Sequence, residues 1–202
     1  LQGDWSSDVC SSDLLGQNAL ERGHYFSEQS RYPNNVAGAV DLVLWDIAGK
    51  FHDASVSELL GGYRKKLPAY ASSMNGGVSG GLLTPESFGE FALQCKKIWC
   101  KAFKIHPYPR TELKDHVDAI LAILDAVGPD MDLMLDSFCF YRSFGDALKV
   151  GRACDEANYF WYEDPYFEGG AAEYGPRKLR EMISTPLLQG EKVVTIQQKV
   201  NL

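Results

Sequence analysis

The chain has 202 residues, 45% of them hydrophobic and 12% aromatic, which suits a packed globular core. A formal net charge of −7 argues against nucleic acid and anionic membranes as partners. No apolar run reaches the ~20 residues of a membrane span, no secretory leader pattern occurs, and five cysteines show no C-x-x-C spacing, so a cytoplasmic protein with reduced thiols is expected.

The first stretch, DWSSDVCSSDL (Asp4 to Leu14), has no hydrophobic period and resembles the translation of a sequencing adapter. Residues 1–14 are therefore set apart from the fold as non-native, and the chain is expected to be an internal fragment. In RYPNNVAGAVDLVLWDIAGKFHD, Val36, Val40, Val43, Leu44 and Ile47 recur at helical spacing, with Asn34 or Asn35 as N-cap. SVSELLGG is a shorter helical piece closed by Gly61 and Gly62.

After Leu67 the rhythm changes. KLPAYASS reads as a strand, NGGVSGG as a loop, and Thr84-Pro85 as the N-cap and first position of a helix. KAFKIH (101–106) is the second strand. A helix from Thr111, carrying Val117, Ile120, Leu121 and Leu124, stops at Gly128-Pro129. MDLMLD (131–136) is the third strand, and Ser143 with Asp146 opens the next helix. YFWYE (159–163) is the fourth strand, Glu173 to Ile183 a helix, and PLLQGE (186–191) the fifth strand. Strands alternating with helices in this way imply parallel βαβ units.

Asp136, Glu163 and Glu191 each close one of these strands, at intervals of about 28 residues. One unit of a (β/α)8 barrel is about 30 residues long, and that fold carries its catalytic groups on successive strand ends. A doubly wound sheet is the alternative, but it gathers polar groups at one switch point. The expected class is therefore α/β, a partial (β/α)8 TIM-type barrel of about five strands. Three carboxylates at one mouth need a compensating charge, and oxygen-only ligation suits Mg2+. Lys104 and His106, two apart on a strand, share one face and bring a cation and an imidazole beside that metal. Such a set allows a base to remove the proton next to a substrate carboxylate, while metal and Lys104 stabilise the enediolate.

VDLVLWDIAGK, ELLGG, KAFKIH, LMLD, YFWYEDP and LLQGE occur in this order, and together they resemble the mandelate racemase/muconate-lactonizing branch of the enolase superfamily. The resemblance implies an α+β capping domain joined to a modified barrel. Residues 15–66 would be the last helices of the capping domain and 67–202 the first part of the barrel. It also implies Mg2+ held by Asp136, Glu163 and Glu191, with Lys104 and His106 as catalytic residues. The expected reaction is dehydration of an acid sugar, a small carboxylate substrate, in a protein that is a homo-oligomer when intact. Racemisation, epimerisation or cycloisomerisation, and a decayed non-catalytic fragment, are the alternatives.

Several positions depart from the family pattern. Its second strand commonly reads Lys-x-Lys, where this chain has Lys104-Ile105-His106. The Asn often found two residues after the first metal ligand is Phe138, and Trp99-Cys100 stands where a Gly is expected.

Overall fold

A computed structural model describes residues 15–29, 34–75, 80–108, 111–167, 174–191 and 193. The adapter-like stretch 1–14, most of the NGGVSGG loop and Glu173 lie outside the described residues, as do the side chains of Asn34 and Asn35. The chain divides into two compact units, residues 1–67 and 68–202.

The first unit is helical: α1 (Arg22–Gln29), α2 (Asn34–His52) and α3 (Val56–Leu59). Tyr25, Leu44 and Ala48 are buried, and the Arg22 guanidinium lies 3.0 Å from the Trp45 ring centre. Of the helical stripe read from the sequence, Leu44 is buried, whereas Val43 and Ile47 are exposed. Ser55 starts α3 with a reciprocal cap: its hydroxyl accepts from the Glu58 amide, and the Ser55 amide donates to Glu58 Oε2 at 2.9 Å.

The second unit alternates β1 (Ala71–Asn75), α4 (Pro85–Lys97), β2 (Ala102–His106), α5 (Leu113–Val127), β3 (Asp132–Asp136), α6 (Phe144–Glu156), β4 (Trp161–Glu163), α7 (Tyr174–Arg180) and β5 (Leu187–Leu188). All neighbouring strands are parallel and their order is β1-β2-β3-β4-β5. Among the described strands the order never reverses, so they form no switch point of the doubly wound kind. Five sequential parallel strands joined by four helices are the architecture of a partial TIM-type barrel.

The start signals act as the sequence implies. Thr84 caps α4 with Pro85 in its first turn, and Ser143 Oγ accepts from the Asp146 amide at 3.0 Å. The α5 helix begins two residues after Thr111, whose hydroxyl instead donates to Tyr108 O at 2.8 Å. Gly89 lets α4 and α5 approach closely: a Cβ there would lie 2.9 Å from Ala122 O.

Side chains alternate between the two sheet faces. Phe103, Ile105, Leu133, Leu135 and Tyr162 join Ile120, Ile123, Val150 and Leu179 in the layer between sheet and helices. Lys104, His106, Met134, Asp136, Trp161 and Glu163, the alternate positions, take the opposite face. Among the described residues, no helix is long and apolar enough to cross a membrane.

Candidate active site

Register decides which polar residues meet. Ser72 pairs with Lys104, Lys104 with Met134, and Met134 with Trp161. Two residues further along the strands, Asp136 pairs with Glu163, and His106 Nε2 lies 2.9 Å from Asp136 Oδ2. The polar groups therefore form two stacked layers at the C-terminal ends of β2, β3 and β4.

Lys104 ties the layers together. Its Nζ donates to Asp136 Oδ2 and Glu163 Oε2, both at 3.0 Å. Burial alone would push the ammonium toward its neutral form, but the hydrogen bonds to Glu163 and Asp136 and their charges raise its pKa well above the ordinary value. Lys104 is thus a fixed cation rather than a base. Burial opposes ionisation of Asp136 as well, yet the bonds from His106, the Phe138 amide and Lys104 outweigh it and hold its pKa at about 2. Tyr70 and Trp161 close the far side: Lys104 Nζ is 5.2 Å from the Tyr70 ring centre, and Trp161 Nε1 donates to Glu163 Oε2 at 3.1 Å.

His106 is held from both sides. A carboxylate only accepts, so Nε2 carries the proton shared with Asp136, while Nδ1 faces Ser72 Oγ at 3.3 Å. Its backbone amide donates to Ser73 Oγ at 2.9 Å. Phe138 adopts a φ of +52°, half exposed, its ring centre 6.5 Å from that of His106.

Glu191 is placed differently. The fifth strand is only Leu187–Leu188, and Glu163 pairs with Leu188, so Glu191 lies in the following loop rather than at the strand end. The ladder ends because Asp164 Oδ1 accepts the Gly190 amide at 3.0 Å, where Gly190 has a φ of +121°. Glu191 then meets Cys139 and Asp164: one ligand atom from each of the three lies within 4.8 Å of the others. Asp136, Glu163 and Glu191 do not form such a triplet; Lys104 stands between the first two.

The donor chemistry nevertheless fits a hard cation. Asp136, Glu163 and Glu191 offer carboxylate oxygens on three neighbouring strand-and-loop segments, and Glu163 Oε1 has no hydrogen bond among the described residues. Ser72, Tyr70, Trp161, Cys139 and Asp164 were not singled out as site residues from the sequence. Trp161 was legible, since it stands two residues before Glu163 on one strand and must share its face. Cys139 and Asp164 reach Glu191 through loops, which leave no periodic signal.

Residues 89–202 match the family model described as Enolase C-terminal domain-like. The chain belongs to that family. The enolase-like resemblance read from its six segments, to the mandelate racemase/muconate-lactonizing branch, is borne out. A D-gluconate/D-galactonate dehydratase of Picrophilus torridus is 30% identical over 84% of this chain and 44% of its own length. A D-galactarolactone cycloisomerase of Agrobacterium fabrum is 29% identical over 62% of this chain and 32% of its own. The structure of D-glucarate dehydratase from Agrobacterium tumefaciens complexed with magnesium superposes with a TM-score of 0.78 at 31% identity, covering 87% of this chain and 48% of that one. The enolase-like chain thus spans less than half the length of these relatives.

Proposed function

We propose that this chain is part of an acid-sugar dehydratase, in which the second unit forms the first part of the barrel and residues 15–66 the last helices of a capping domain. The observation that carries the reading is Lys104, held charged between Asp136 and Glu163 at a strand-end mouth beside His106. Dehydratases among the relatives support it.

In this reading Asp136, Glu163 and Glu191 hold Mg2+. When bound, the ion supplies positive charge against the substrate carboxylate and so makes its α-proton more acidic. Lys104 adds a second, fixed positive charge facing the same carboxylate as it becomes an enediolate. His106, whose Nε2 lies 2.9 Å from Asp136 Oδ2, is the imidazole of the mouth placed to pass a proton to or from the substrate. The α-proton passes to a base and the β-carbon–oxygen bond breaks. The hydroxyl leaves as water after taking a proton, and the resulting enol becomes a 2-keto-3-deoxy acid. Cycloisomerisation is the second reading, supported by the Agrobacterium fabrum relative, and it uses the same first step.

The test is to incubate the purified protein with Mg2+ and a panel of aldonates and aldarates and to measure 2-keto-3-deoxy product. Product with one or more substrates, lost in Lys104→Met, is expected. Turnover that survives Lys104→Met unchanged would overturn the role of that residue. Formation of a lactone-opened isomer without loss of water would favour cycloisomerisation.

A further inference from the structure

A glutamate side chain turns about several bonds, and nothing in its own chemistry selects one rotamer. At Glu163 one oxygen is already engaged twice. Oε2 accepts from Lys104 Nζ at 3.0 Å and from Trp161 Nε1 at 3.1 Å, while Oε1 has no hydrogen bond among the described residues. Asp136 divides its oxygens in a similar way: Oδ2 meets Lys104 and His106, and Oδ1 accepts from the Phe138 amide.

Lys104 alone does not fix the Glu163 carboxylate. Its ammonium is shared with Asp136 and sits on a long flexible stem, so it acts as a point charge rather than as a guide to one plane. The indole is different. Trp161 stands two residues before Glu163 on β4, on the same face, and its N–H is rigidly part of a large ring. That ring is braced: Tyr70 meets it edge-on, with ring centres 5.9 Å apart at 81°, and Phe160 lies against it at 5.4 Å. Tyr70 also faces Lys104 Nζ at 5.2 Å, so one ring backs both donors. A side chain that only filled this face of the sheet would need no N–H aimed at Glu163.

We propose that Trp161 is a positioning residue: with Lys104 it engages Glu163 Oε2 and so reserves Oε1 for the cation. The inference rests on the reading in which Asp136, Glu163 and Glu191 hold Mg2+, and deepens it by naming the side chain that presets one ligand. A hydrogen bond to a charged carboxylate is stronger than one between neutral groups, and here it orders the ligand before the ion arrives. Without the indole N–H the Glu163 side chain is freer to turn, and the ion must order it on binding at a cost in affinity.

The probe is Mg2+ alone, titrated calorimetrically into the chelator-treated protein and into Trp161→Phe, Trp161→His and Glu163→Gln. Phenylalanine keeps an apolar ring and removes the N–H. Histidine gives up more ring surface, but its Nε2–H occupies the same ring position relative to Cγ as the indole N–H, and it is neutral at about pH 8. Trp161→Phe should weaken Mg2+ binding at least about tenfold, and Trp161→His should recover most of that loss. Packing alone ranks the two variants the other way. Native affinity in Trp161→Phe, or a histidine variant no better than the phenylalanine one, would overturn the positioning role; weakened binding in Glu163→Gln would then leave the Mg2+ reading standing. Equal affinity in the native protein and Glu163→Gln would bring down that reading and the role of Trp161 with it.

Discussion

Asp136 and Glu163 stand side by side across the β3–β4 ladder, each accepting from Lys104 Nζ at 3.0 Å. Two carboxylates that would repel each other are thereby joined by one buried cation. The pairing organises the whole mouth: His106 leans on Asp136, and Trp161 on Glu163.

Removing the cation should therefore cost stability. Lys104 and Asp136 have side chains only 10% exposed. Lys104→Met is expected to lower the unfolding free energy by about 3 kcal/mol, the usual scale for stranding a buried charge. Urea denaturation measures it. Adding Glu163→Gln should recover part of the loss, since it removes one of the stranded carboxylates. An unchanged midpoint in the single variant would contradict the bridge.

A second relationship lies behind the sheet. His116 Nε2 meets the Tyr108 carbonyl at 3.1 Å, so that nitrogen bears the proton, and Nδ1 accepts from Tyr141 Oη at 2.9 Å. Burial lowers the His116 pKa below 6.5, opposed by the Tyr108 bond and the Asp115 charge. The unfolded chain then takes up a proton first as pH falls. The neutral imidazole's contribution is complete above about pH 6.5 and is lost on acidification toward the lower folded-state value. Thermal unfolding at about pH 7 and about pH 5 should show a larger loss in the native protein than in His116→Gln. Equal losses would mean that His116 does not control this window.

Close packing of α4 on α5 gives a simpler test. Gly89→Val would drive a side chain into the Ala122 carbonyl and the Ala126 methyl. A loss of about 1–3 kcal/mol is expected from overpacking. Calorimetric unfolding decides it, and a neutral result would show that α4 can move away at no cost.

Phe138 is the converse case. Its left-handed φ of +52° suits Asn better than a bulky aromatic, and its ring is half exposed. Phe138→Asn should stabilise the protein by about 1 kcal/mol, read as a higher denaturation midpoint. Destabilisation would mean that the ring's contact with His106 outweighs the backbone strain.

These tests rest on features of unequal visibility. The alternation in AFKIH and DLMLD reports strands whose even and odd positions face different layers, so Lys104, His106 and Asp136 could be placed on one face without coordinates. Thr84, Pro85 and Ser143 mark helix starts because capping is local chemistry. Glu191 shows where such reading stops. LLQGE looks like a strand ending in an acid, yet Asp164 captures the Gly190 amide and ends the ladder after Leu188. That bond joins residues 26 apart, and no local pattern encodes it. α1 has no marked apolar stripe to announce it, although its Arg22 packs on Trp45. The helical stripe in α2 is buried at Leu44 and exposed at Val43 and Ile47, because periodicity names a face without saying what covers it.

The most direct test of the strand-end acids as a cation site is calorimetric titration of Mg2+ into the purified protein and into Glu163→Gln. Saturable binding in the native protein, weakened at least about tenfold in the variant, is expected. Equal Mg2+ affinity in the two proteins would contradict the assignment of Glu163 as a ligand, and with it the metal-dependent chemistry proposed for this mouth.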